Sequence, residues 1–84
     1  MDLHEKIETI ASNKDLADFI ETLQADLIAN PDEWENTSLE SFLEAMSAWT
    51  RSMENAYKNT GREFPSQPNW AMMADILYTA KIYE

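Results

Sequence analysis

The apolar residues of this chain fall into four runs of helical period, separated by capping residues and prolines. Leu3, Ile7 and Ile10 share one side of a first segment, from about Asp2 to Ala11. It is short and marginal as a helix by itself. A second segment follows Ser12, which stands in capping-box spacing with Asp15, an Asp in place of the usual Glu. Leu16, Phe19, Ile20, Leu23 and Leu27 then form a stripe about 100° wide, with Asp18 and Glu21 facing away. The segment ends at Asn30-Pro31, because a residue before proline is pushed out of the α region.

The third segment has the clearest pattern. Thr37 and Glu40 make a second capping box. Leu39, Phe42, Leu43, Met46, Trp49, Met53 and Tyr57 lie within about 120°, opposite Glu40, Glu44, Ser47, Arg51, Asn55 and Lys58. Gly61 is placed just past the helix end. Pro65 and Pro68 forbid a helix through "GREFPSQPN". Asn69 then caps a fourth segment that runs to about Tyr83. Trp70, Met73, Ala74, Leu77 and Ala80 share one side of it, but Met72, Ile76, Ile82 and Tyr83 lie on others. A helix apolar nearly all round is usually buried, so this one is expected at the centre, with a face for another chain as the alternative. If its last turn packs, the carboxylate at Glu84 meets an unfavourable helix dipole that Arg51, Lys58 or Arg62 would have to offset.

Trp34 adds one element. It is a large apolar residue in the acidic connection "PDEWENTSLESF". A hydrophobic staple does not explain it, since with Thr37 as cap the paired residues would be Asn36 and Ser41, both polar. Asn30 can cap, Pro31 suits a first helical position and Glu33 completes a third capping box. A single helical turn there aims Trp34 inward. Burying about 200 Å² of indole is worth up to about 5 kcal/mol, less the cost of ordering the connection. An exposed aromatic at an interface is the alternative. The expected fold is therefore all-α: a compact bundle of four main helices forming one domain over residues 1–84, with an extra turn near 31–35.

Composition agrees and narrows the setting. With 44% hydrophobic and 11% aromatic residues, the 84-residue chain is too apolar to be disordered. It has no cysteine, hence no disulfide framework and no thiolate zinc site, which suits a reducing compartment. "MDLHEKIETI" has neither the basic nor the apolar part of a signal peptide, and no apolar run approaches the roughly 20 residues that span a bilayer. A cytoplasmic protein is expected.

The net charge of −10 changes the picture more. Up to Ala45 there are twelve acids against Lys6 and Lys14, whereas from Met46 onward four acids balance four bases. Such a field repels nucleic acid and anionic membrane and attracts basic partners, although a charged surface also serves plain solubility. Arg51, Lys58 and Arg62 form at most a small basic patch beside Trp49 and Tyr57, too little for nucleic acid.

Catalytic groupings are missing from the sequence. His4 has no second histidine, so "HEKIE" is no zinc-protease motif and His4 reads as solvated. "DEWENTSLE" lacks the alternating ligands and central glycine of a calcium loop, and no Glu-x-x-His pattern suggests a di-iron bundle. Asp18, Glu21 and Asp26 read as a solvated face. A single glycine excludes a phosphate-binding loop. No enzyme and no cofactor are expected. "NTS" at Asn36 matches a glycosylation sequon but lacks the signal peptide it would need. "REFPSQP" matches an SH3 ligand in form and reads as a stiff crossover.

The segments "NPDEWENTSLESFLEAMSAWTRSMENAYKN" and "PNWAMMADILYTAKIYE" resemble a small family of bacterial domains of unknown function. The pattern is W-E-N before a capped helix, F-L-E-A with a Trp four residues later, Y-x-N, then P-x-W and a closing A-K-I-Y-E. It covers the chain from about Ser12. The resemblance implies a helical domain and a bacterial origin, and it brings no activity, ligand or site residue with it.

Three functions compete. The first is an acidic protein-protein interaction module for a basic protein, in the manner of an immunity protein or antitoxin. Its surface would use Glu21, Asp26, Asp32, Glu33, Glu35, Glu40 and Glu44, with charge steering association and aromatic residues anchoring it. The second is a self-associating structural or adaptor domain, a homodimer through Met72, Ile76, Ile82 and Tyr83. The third is a small-molecule sensor binding among Trp34, Trp49, Trp70 and the methionines, residues that otherwise read as core.

Overall fold

The computed structural model describes residues 3–83. Asp2 of the first expected segment and the Glu84 carboxylate lie outside them. The elements are α1 (Leu3–Lys6), a 3-10 turn (Ile7–Thr9), α2 (Asn13–Ala29), a second 3-10 turn (Pro31–Glu33), α3 (Leu39–Asn59) and α4 (Trp70–Ala80). The fold is all-α, as the apolar period requires, and the described residues contain no strand.

The caps set the boundaries, with some departures from the sequence reading. Ser12 caps α2 by accepting the Asp15 N–H at 3.1 Å, but Asp15 reaches back to the Ala11 N–H, one residue earlier than a capping box requires. The first segment is not one helix: α1 gives way to the 3-10 turn, and Ile10 is extended. Ser38, not Thr37, caps α3, accepting the Ser41 N–H at 3.1 Å. The reason lies just upstream. Glu35 and Asn36 are held against the end of α4, which delays helix entry past Thr37. Gly61 (φ 73°) closes α3 as expected, with Gly61 N–H to the Lys58 carbonyl and Arg62 N–H to the Tyr57 carbonyl. Asn69 caps α4 through the Met72 N–H at 2.8 Å. α4 stops at Ala80, short of the expected Tyr83.

α4 is the central element. It packs against α1, the first 3-10 turn, α2 and α3, whereas α2 and α3 barely meet. Ala74 and Ala80, both fully buried, let neighbouring backbones come close. Ile7, Ile10, Phe19, Leu23, Trp34 and Ala74 form the main core, with Leu3, Leu16, Leu27, Phe42, Leu77 and Tyr78 packed against it. The helix is not buried all round: Met72 is inside, but Trp70 and Met73 are about two-fifths exposed, as is Ile82 just past its end.

Residues 34–38 form a strap across the C-terminal end of α4. The backbone N–H groups of Glu35 and Asn36 both donate to the Lys81 carbonyl, each at 3.1 Å. The Asn36 side-chain amide donates to the carbonyls of Ala80 (3.0 Å) and Tyr83 (2.8 Å). Carbonyls at a helix end have no partner within the helix, so Asn36 caps α4 from more than forty positions away. Asn36→Ala removes both side-chain bonds and is expected to cost about 1–3 kcal/mol, a fall of roughly 4–24 °C in a thermal melt of a domain this size.

Candidate binding groove

The strap is pinned by a single carboxylate. Asp26, near the end of α2, receives the Lys81 ammonium on Oδ2 at 2.9 Å and the Trp34 indole N–H on the same oxygen at 2.8 Å. Its other oxygen receives the Asn30 amide at 3.1 Å. The Asn30 side chain is turned to Asp26 through its amide N–H, and its oxygen makes no capping bond to the second 3-10 turn. The third capping box does not form, yet the turn does, and Trp34 is buried at 8% exposure as the sequence suggested. Lys81 is equally buried, its ammonium 5.3 Å from the Trp34 ring centre and 5.4 Å from that of Tyr78.

This corrects the reading of Asp26 as part of a solvated face with Asp18 and Glu21. Its oxygens are committed inside the fold. Lys81 holds its carboxyl below the ordinary range, partial burial works against this, and the hydrogen bonds from Trp34 and Asn30 add to it. The missed signal was the need of a buried indole N–H for an acceptor. Lys81 itself gave none, since a lysine near a chain end ordinarily reads as solvated.

Trp34 stacks on Phe42 with ring centres 6.1 Å apart and planes at 25°. The pair forms one end of an open groove of about 430 Å³. One wall comes from α2 through Ile20, Leu23, Gln24 and Leu27; the other from the strap and the start of α3 through Asn36, Thr37, Ser38, Leu39 and Phe42. Leu77 of α4 supplies the floor. The groove exists because α2 and α3 pack on α4 instead of on each other. Leu39 is 73% exposed and Ile20 46%, and Ile28 and Leu43 stand exposed nearby on the same helices. The sequence reading assigned Ile20, Leu39, Phe42 and Leu43 to the core stripes. Periodicity finds an apolar face but cannot say whether the chain itself covers it.

Glu21, Asp32, Glu33, Glu35, Glu40 and Glu44 are all exposed. Helical position puts Glu21 beside Gln24 on the outer edge of the α2 wall. It puts Glu40 and Glu44 on the face of α3 opposite Leu39 and Phe42, so these two add to the field without edging the groove. Glu35 precedes the strap residue Asn36. Asp32 and Glu33 lie on the second 3-10 turn, and Glu33 turns to a separate polar recess with His4, Thr22, Asp26, Tyr78 and Lys81. The acids therefore charge the half of the chain that carries the groove, without converging on one point. Among the described residues, no group of three or more His, Asp or Glu is placed to hold a metal ion. None of the described helices is long and apolar enough to cross a membrane.

One further carboxylate escaped the sequence reading. Asp75 on α4 is half-buried, and burial pushes its carboxyl up, against the pull of the Trp49 N–H, the Arg62 and His4 charges and Thr79. The Trp49 N–H is buried beside it without reaching hydrogen-bond geometry. The two carboxylates thus act oppositely on stability. Asp26 contributes above its unfolded value of 3.8, and the contribution is lost as pH falls through its lower folded value. Asp75 favours the fold below 3.8, and that preference is lost as pH rises through its higher folded value.

Asp26→Asn leaves Lys81 sheltered without its counter-charge. The expected loss at neutral pH is about 2–4 kcal/mol. The deficit relative to the native chain should shrink in acid, where Asp26 is protonated in both states. Denaturant melts at several pH values measure both effects.

Residues 12–84 match the model of a family of unknown function (DUF7660), and the chain belongs to that family. No curated protein and no solved structure matches it.

Proposed function

We propose that this member of the family is a non-enzymatic, cytoplasmic interaction module that binds a basic protein, as an immunity protein or antitoxin does. The observation that carries this reading is the distribution of charge around the groove. From Asp15 to Thr50 the chain has nine acidic residues and no lysine or arginine. Both groove walls come from this stretch. Among the described residues its one ion pair is the internal contact of Asp26 with Lys81. Apart from Asp15, which accepts the Ala11 N–H, the remaining acids are exposed and available to steer a basic partner, while the apolar groove offers area for anchoring it.

Self-association is the second reading, supported by the exposure of Trp70 and Met73 on α4. It is the weaker one for the groove, because two copies meeting there would bring acid against acid.

The test is affinity capture from the source organism on two baits, the native chain and the Glu21→Lys, Glu40→Lys, Glu44→Lys triple variant, each washed at about 0.05 M and then about 0.5 M salt. A basic protein retained by the native bait, released by salt and absent from the variant is the expected result. Identical profiles on the two baits would remove the charge-directed reading.

A further inference from the structure

We infer that the groove between α2 and α3 is the seat of an amphipathic helix from the partner, apolar on its inner face and flanked by Lys and Arg. The helix would lie between α2 and α3, over Leu77 of α4. This inference rests on the interaction reading above and specifies what part of the partner is held.

Three observations support a helix as the occupant. First, α2 and α3 both pack on α4 but barely touch each other, so the open side has helical walls and a helical floor. Ridges on such walls suit the grooves of another helix. Second, the groove floor and inner walls are apolar. An extended peptide there would leave many backbone N–H and C=O groups without partners, whereas a helix satisfies its own. The Asn36 amide is already used by the carbonyls of Ala80 and Tyr83, and the described residues contain no strand for an extended segment to pair with. Third, charge selects the flanks. Glu21 edges the α2 wall, Glu35 is exposed in the strap that forms the other, and no lysine or arginine lies on either wall, so Lys or Arg beside the inserted apolar face meets opposite charge. Two copies meeting groove to groove would not supply that, because both groove walls come from the stretch that has no lysine or arginine. Helix-in-groove binding uses anchors at i, i+3 or i+4, and i+7, which amounts to about two to three turns of partner helix.

The probe is a synthetic peptide of about 18 residues, long enough to be helical when bound, with Leu at i, i+3, i+4 and i+7 and Lys elsewhere. Its controls are a scrambled peptide of the same composition and a version with Glu for every Lys. Affinity is measured by calorimetry at about 0.05 M salt for the native chain and for Leu39→Asp and Ile20→Asp. Both side chains are exposed, and Leu39 is the first residue of α3, where an acid favours the helix dipole. Leu39→Asp should therefore keep the native melting temperature, whereas Ile20→Asp, half-buried within α2, lowers it, and its affinity is read well below its own melt.

Each variant adds negative charge in the groove. If charge alone bound the peptide, affinity would stay or rise. Docking in the groove predicts a fall of about tenfold or more for both variants, and a similar fall for the scrambled peptide on the native chain. Equal affinity for ordered and scrambled peptides, unaffected by Leu39→Asp, would overturn the helix-in-groove inference and leave a basic partner standing. Failure of both Lys peptides to bind, or preference for the Glu peptide, would overturn the inference and the basic-partner reading together.

Discussion

The Asp26 carboxylate is the point on which the rest of the structure depends. It draws together the end of α2, the connection around Trp34 eight positions on, and the residue that follows α4, fifty-five positions on. Sheltering an ammonium and a carboxylate from water is costly unless their remaining bonding capacity is filled. Here it is filled. One carboxylate oxygen takes Lys81 and Trp34, the other takes Asn30, and the Lys81 cation also lies over two aromatic rings. Removing any one of these partners leaves another without its bond, so the cluster acts as a unit.

Position follows from that unit. With its indole N–H fixed, Trp34 turns its ring to Phe42, and the chain after it lies across the end of α4, where Asn36 takes the helix-end carbonyls. The strap so formed is also one wall of the groove. The same contacts that finish α4 hold the groove open before anything binds. A preformed site loses less entropy on binding than one that must be ordered first. Under the proposed function, the internal ion pair is the scaffold and the exposed acids are the recognition surface.

Much of this was legible in the sequence. The caps at Ser12 and Asn69, the stop at Asn30-Pro31, the closing Gly61 and the inward Trp34 all follow from local chemistry that needs no tertiary information. So does the all-α class. Legibility failed where distant residues compete for one local group. Thr37 satisfies a capping rule, but the strap's bonds to Lys81 move the helix start to Ser38. Asn30 can cap, but its amide N–H donates to Asp26 one turn back, and that turns the side chain away from the 3-10 turn. Asp26 looked solvated because its partner is fifty-five positions away. The groove was hidden for a different reason: Leu39 and Phe42 belong to one apolar stripe, yet Leu39 faces solvent while Phe42 packs on Trp34. The two segments that carried the family resemblance, around Trp34 and around Lys81, bond to each other in this chain.

The central claim is that the strap is held as firmly as the helices it joins. Native-state hydrogen exchange tests it directly, read at the Trp34 indole N–H and the Glu35 and Asn36 backbone amides. The account predicts that these protons open only with α4, at the same free energy as the amides of its middle turns. Exchange of all three through a low-energy local opening, with α4 still protected, would contradict it and make the groove a fluctuating wall instead of a preformed one.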